Sequence, residues 1–304
     1  MKITITERVK LEYNTELVDK EFIPASAPYL DNIENVERIA CAINENIPVL
    51  LVGDTGTGKT SLIRHLAERT GNAFRRVNHT GGTDVSDIKG KILLPDGTTK
   101  WIDGVLLDAM RKGHWYLADE INASGAEILF LYHSLLDDDG YIVLDENNGE
   151  VVRPHKNFRF FATMNDRYDY VGTREMNKAL LSRFAVIRLD YPTPGIEVQI
   201  LQTRTGLNKT VAKRFVNVAN DLRRAYADNK ITLPVSTRDL IQWSKLFNVF
   251  NEYVNTAEVA IVNKADNTAR QSVRDIINVS VAKYDEKNAP VEVITDAQAP
   301  SDNV

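Results

Sequence analysis

Residues 53–60 read GDTGTGKT: a glycine, four residues, then Gly-Lys-Thr. Each part has a physical task if the partner is a polyphosphate. Gly53, Gly56 and Gly58 permit a tight turn whose backbone N–H groups face inward as an anion nest. A helix beginning at the end of the turn adds its positive pole. Lys59 can neutralise the outer phosphates, and the Thr60 hydroxyl can ligate Mg²⁺. The predicted binding set is Gly53, Asp54, Thr55, Gly56, Thr57, Gly58, Lys59, Thr60 and Ser61. At ordinary glycine usage such a pattern arises by accident in roughly one chain in a hundred. A buried strand before it and a helix after it separate this instance from an accident.

A bound magnesium triphosphate needs a carboxylate for the metal and a group to orient water. HWYLADE (114–120) ends an apolar run with Asp119 and Glu120. A strand would set both acids at the carboxyl edge of a sheet, where open α/β folds bind ligands. Asp119 is expected to hold Mg²⁺ through its waters, and Glu120 to polarise the attacking water. Asn165, closing NFRFFATMN (157–165), could position that water or touch the γ-phosphate. The alternative is an asparagine that opens a turn.

The elements that must carry these residues are legible as periodicity. Ile33, Val36, Ile39, Ala40 and Ile43 have helical spacing, and IPVLLVG then reads as a short buried parallel strand. A helix is expected over 59–70, strands at 74–78, 114–120, 157–165 and 184–190, and helices at 104–112 and 125–136. Pro95-Asp96-Gly97 and Asn147-Asn148-Gly149 mark two hairpins. After Pro192 and Pro194 the pattern is helical, with Leu240, Trp243, Phe247 and Phe250 on one face. The expected fold is α/β, a three-layer αβα domain with a mostly parallel five-stranded sheet, followed by a C-terminal all-α lid domain. The expected bounds are 1–34 for an extended lead-in, 35–190 for the nucleotide-binding core, 191–284 for the lid and 285–304 for a polar, disordered tail.

A net charge of −5 argues against a protein whose main task is coating nucleic acid. The N-terminus has scattered charge and no apolar segment, unlike a signal peptide. No apolar run reaches the roughly 18 residues a membrane helix needs, so no membrane partner and a cytoplasmic location are expected. The five histidines form no close zinc-ligand pair. Asp137–Asp139 with Gly140 lacks the acid spacing of a calcium loop. The lone cysteine, Cys41, is expected in the core rather than as a nucleophile.

The order GDTGTGKT, WYLADE, ATMN, ALLSRF resembles the AAA+ ATPases. More narrowly, it is similar to their MoxR-like and dynein/midasin-related branch. The stretch GVLLDAMRKGHWYLADEIN, the hairpin LLDDDGYIVLDENNGEVVRPHKNFRFFATMN and STRDL carry that narrower likeness, over residues 22 to 250. The resemblance implies ATP and Mg²⁺ as cofactors, ATP hydrolysis, and a homo-oligomeric ring, usually a hexamer. It implies a protein client and often a partner with a von Willebrand factor A domain. Metal-cofactor insertion, complex maturation and chelatase-type work of the CobS kind are the usual tasks. Arg183, in ALLSRF, matches the arginine finger that reaches a neighbour's γ-phosphate, with Arg174 as a competing candidate. Arg238, in STRDL, matches the sensor 2 arginine. Ser236 and Asp239 have capping-box spacing, which puts Arg238 in a first helical turn. The segment with Lys91, Lys100 and Trp101 resembles an insertion that faces the ring's pore and a client. His114 and Trp115 depart from the family's aliphatic strand start, and Trp115 is expected in the core.

Two other functions remain open on the sequence. One is a nucleic-acid-acting AAA+ motor or a McrB-like GTPase, whose members also carry ATMN. The other is a nucleotide-regulated binding module without turnover, which the intact Lys59, Asp119 and Glu120 oppose.

Overall fold

The computed structural model describes residues 2–15, 19–25, 29, 33–94, 98–165 and 176–285. Pro95-Asp96-Gly97, Arg174 and the tail after Asp285 lie outside the described residues. The chain divides into two compact units, Met1–Ile200 and Leu201–Val304.

The first unit opens with a small antiparallel hairpin, β1 (Lys2–Thr4) and β2 (Lys10–Glu12), with Ile3 opposite Leu11. Helix α1 (Ile33–Asn44) leads to β3 (Val49–Val52) and α2 (Lys59–Arg69). Then come β4 (Phe74–Asn78), the single turn α3 (Val85–Ile88), and a hairpin of β5 (Gly90–Leu93) and β6 (Lys100–Asp103). Helix α4 (Val105–Lys112) feeds β7 (Trp115–Asp119). After α5 (Ala126–Leu135), a hairpin of β8 (Ile142–Leu144) and β9 (Glu150–Val152) precedes β10 (Arg159–Met164). Short α6 (Lys178–Leu181) and β11 (Ala185–Arg188) complete the sheet, and α7 (Pro194–Thr205) follows.

Five of these strands form one sheet in the order β11-β3-β10-β7-β4, every pair parallel. The short apolar runs explain this. Val49, Leu50, Leu51 and Val52 are all buried, because helices cover both faces. Alternation splits them: Leu50 and Val52 join the core with Leu106, Leu107 and Tyr132. Val49 and Leu51 join the opposite core with Ile39, Leu62 and Ile63. Helices α4 and α5 thus cover one face, and α1 and α2 the other. Trp115 is buried against Phe161, ring centroids 5.1 Å apart, as expected.

Cys41 is exposed, contrary to expectation. The face of α1 that meets the sheet runs through Ile39, Ala40 and Ile43, and residue 41 points away from it. Within the lead-in, Val9 and Leu11 join the α1–α2 core.

The second unit is helical: α8 (Lys209–Ala227), α9 (Thr237–Phe250), α10 (Tyr253–Ala260) and α11 (Arg270–Asp285). Asn208 caps α8 by accepting from the Val211 N–H at 2.9 Å. Phe215 meets Trp243 edge-on at 4.5 Å and Phe247 at 5.3 Å, the aromatic centre of this unit. Phe250 does not join them. It is 62 % exposed at the last residue of α9, where Asn251 turns left-handed and ends the packed face. Among the described residues no helix is long and apolar enough to cross a membrane.

Candidate functional site

The glycine-rich loop connects β3 to α2 at the carboxyl edge of the sheet. Gly56 and Gly58 take positive φ values of 80° and 94°, which glycine adopts without steric cost. Gly53 is needed for another reason: a Cβ there would lie 2.1 Å from the Leu189 carbonyl oxygen. Thr57 Oγ1 donates to the Asp54 carbonyl at 2.9 Å and holds the turn. Thr55 and Ser61 are exposed. The ring of Tyr29 lies over Gly58 and packs on His65, centroids 5.9 Å apart.

Lys59 is buried and folded back over the loop. Its Nζ donates to the Gly53 carbonyl at 2.7 Å, the Asp54 carbonyl at 2.9 Å and Asn165 Oδ1 at 3.1 Å. Sheet register explains the last contact. β10 lies beside β3 with Met164 opposite Val52, so the residue after each strand reaches the same edge. The ammonium therefore sits where phosphate oxygens could take over contacts now made by carbonyls.

Asp119 ends β7 and is buried. Thr60 Oγ1 donates to its carboxylate, 3.2 and 3.1 Å from the two oxygens. Thr163 Oγ1, on β10, also donates to Oδ1. Sequence reasoning did not single out Thr163. Its spacing two residues before Asn165 was visible, but its meeting with Asp119 depends on β10 and β7 being neighbours. Arg76 was missed for the same reason. From β4 it pairs with Asp119 Oδ2 through Nε at 2.7 Å and Nη2 at 2.6 Å.

Thr163 has a second task. Its oxygen accepts from the Glu120 N–H at 3.0 Å. Glu120 is in the left-handed region, φ 56°, ψ 45°, where a non-glycine residue costs roughly 1–2 kcal/mol. The turn carries the exposed Glu120 side chain away from the buried Asp119 one. The Asp119 carbonyl, on the inner side of the turn, accepts from the His79 N–H at 2.8 Å and faces His79 Nδ1 at 3.2 Å. A carbonyl only accepts, so Nδ1 carries the ring proton and Nε2 is the acceptor. Nε2 accepts a hydrogen bond from the Tyr132 hydroxyl at 2.7 Å, and Tyr132 accepts from Tyr116 at 2.8 Å. Burial pushes the His79 imidazole below the usual histidine range and the Tyr116 and Tyr132 phenols up, keeping the chain neutral.

Among the described residues, no group of three or more His, Cys, Asp or Glu could hold a metal ion alone. The donor set at the loop is a hydroxyl and one carboxylate, both hard oxygens. That set fits Mg²⁺, which keeps waters and takes further ligands from phosphates. Thr60 and Asp119 are the residues that would hold it, and it would supply positive charge to the phosphate oxygens.

Arg183 stands elsewhere. It follows α6, two residues before β11, and Ala185 is opposite Val49 at the start of β3. It therefore lies at the amino edge of the sheet, roughly 15–20 Å along the strand direction from the loop of its own chain. There it lines a cleft of about 670 Å³ with Asp137, Arg153 and Arg159, and pairs with Asp137 at 3.3 Å. Arg238 belongs to the second unit, exposed in the first turn of α9. The capping box is present: Ser236 Oγ accepts from the Asp239 N–H and Asp239 accepts from the Ser236 N–H at 2.9 Å. Trp101 packs against the sheet core with its indole donating to Asp103 at 2.7 Å, while Lys100 is exposed.

Comparison with known proteins places residues 48–184 in the AAA domain (dynein-related subfamily) and residues 197–280 in the CbbQ/NirQ/NorQ C-terminal family. The chain is 33 % identical to midasin of Dictyostelium discoideum over 221 residues, which is 70 % of this chain but 4 % of midasin. It is 30 % identical to protein CbbQ of Hydrogenophilus thermoluteolus over 200 residues, covering 66 % of this chain and 74 % of CbbQ. It is 28 % identical to aerobic cobaltochelatase subunit CobS of Sinorhizobium sp over 271 residues, covering 84 % and 81 % of the two chains.

Proposed function

This chain belongs to the dynein-related subfamily of AAA domains, and from that premise we propose that it hydrolyses ATP with magnesium. The observation that carries the proposal is the meeting of Lys59 and Thr60 from the start of α2, Asp119 from the end of β7 and Asn165 just after β10, at one edge of the sheet. In this reading Lys59 exchanges its carbonyl partners for the β- and γ-phosphates. Thr60 and Asp119 hold the metal, Glu120 orients and deprotonates water, and Asn165 fixes the γ-phosphate or the water. Arg183 serves the site of an adjacent subunit, and Arg238 has the sensor 2 role that the family resemblance implies.

Arg183 acting between chains calls for an assembly of like subunits, and the family resemblance makes that assembly a ring, usually a hexamer. The energy would be spent on remodelling or assembling a protein client, with a von Willebrand factor A domain protein as a partner. A chelatase-type task is supported by the likeness to CobS along most of both chains. Calorimetry with ATP and with GTP at millimolar magnesium, paired with phosphate release, tests the core of this. Heat and turnover with ATP are expected, and their absence with both nucleotides would sink it.

A further inference from the structure

Arg75 and Arg76 are neighbours on β4, and strand alternation sends them to opposite faces. Arg75 pairs with Asp108 at 2.6 Å and stacks over Phe22. Arg76 instead runs along the strand towards Asp119, the residue opposite Asn78 on β7. Its Nε and Nη2 both bond Oδ2, at 2.7 and 2.6 Å. Oδ1 receives Thr163, and Thr60 lies within 3.2 Å of both oxygens. Every acceptor direction of this carboxylate is thus taken. The Asp119 side chain is 7 % exposed, whereas Arg76 is 45 % exposed on an edge strand, with an open way out to solvent.

A divalent cation and its water shell need the acceptor directions that Arg76 fills, and two cations so close repel. We propose that Arg76 is a stand-in cation: it neutralises Asp119 while magnesium is away and swings into solvent when the metal arrives. The inference rests on the reading of residues 53–60 as a triphosphate site. It has two consequences. Metal-free triphosphate can enter, because the nearby carboxylate is already neutralised. Magnesium binding is weakened, because it must displace an ion pair. Arg76 therefore narrows the difference in affinity between ATP with and without magnesium.

The test is calorimetric titration of ATP in excess magnesium and in EDTA, for wild type, Arg76→Gln and Arg76→Lys. Arg76→Gln should widen the ratio of the two dissociation constants by about tenfold, the scale of one partly screened charge pair. Arg76→Lys, which keeps the charge, should stay near wild type. An unchanged ratio in Arg76→Gln overturns the proposal and leaves the triphosphate site standing. Wild type that binds ATP in neither buffer overturns both. Should Arg76→Gln fail to fold, the wild type still decides. Its Arg76 Nε–H resonance, assigned by its loss in Arg76→Lys, should be protected with ATP in EDTA and lose protection when magnesium is added. Protection in both states overturns the proposal.

Discussion

Lys59 and Asn165 are 106 residues apart in sequence, yet Lys59 Nζ donates to Asn165 Oδ1 at 3.1 Å. The lysine is the hub: it also carries two loop carbonyls. Lys59→Ala should weaken ATP by roughly 1.5–3 kcal/mol, the scale of a charged hydrogen bond. Asn165→Ala should leave most of the affinity and lower turnover by about 10²–10³-fold, as loss of a positioned donor does. Calorimetry and phosphate release separate the two. Equal losses of affinity in both variants would contradict this division.

Thr163 bridges the Asp119 carboxylate and the Glu120 N–H with one oxygen. Thr163→Val removes both bonds at similar volume, leaving the Glu120 N–H without this acceptor and Asp119 Oδ1 with Thr60 alone, a cost of about 1–3 kcal/mol. It should also slow turnover, because Glu120 loses the bond that steadies its left-handed turn. Thr163→Ser keeps the oxygen and should restore both stability and rate. Glu120→Gln should bind ATP as the wild type does while turnover drops by about 10²–10⁴-fold. Denaturation midpoints and steady-state rates on the four proteins test this together.

Arg183 and the phosphate loop occupy opposite edges of the sheet. Arg183→Ala alone and Lys59→Ala alone should each be nearly inactive. Mixed, they should regain activity, since an intact loop can then face an intact arginine. Failure to complement, with active Arg183→Ala protein on its own, would remove Arg183 from the role. Arg174→Ala, made in parallel, tests the competing candidate.

His114 is buried beneath the N-terminal segment. Burial pushes its imidazole below the usual histidine range, against the pull of Asp108 and Asp19 and with the push of Arg75 and Lys112. The unfolded chain therefore takes up the proton first as pH falls. Stability should be full near neutral pH and decline below about pH 6.5, the unfolded histidine value. His65 and His79 are shifted the same way and add to the slope. Asp19 is lowered too, but its contribution is lost only in the acid carboxylate range. His114→Phe should flatten the decline in urea midpoint between pH 7.5 and 5.5. An identical slope would show that His114 is not a source of it.

Much of this was legible in the sequence because buried parallel strands are short unbroken apolar runs. VLLV, WYLA and RFFATM declare themselves, and the loop, Asp119 and Asn165 follow from where those runs stop. What escaped depends on strand order. Nothing in FRRVN says which arginine will face Asp119; that needs β4 beside β7, with Asn78 opposite Asp119. His79 and Tyr132 reach each other across 53 residues, which no local pattern encodes. The three-residue strands β1 and β2 are too short for periodicity to register. Cys41 and Phe250 show the opposite limit. Helical spacing marks a stripe but not where its edge falls, so residues at the margin can turn outward.

The separation of Arg183 from its own loop has a kinetic meaning. On the proposal that Arg183 completes a neighbour's site, a solitary chain keeps this arginine at the far edge of the sheet from its own loop, so dilution should silence turnover. Rate per molecule would then rise with protein concentration until rings saturate. The cell could govern such a machine simply by how much of it is made.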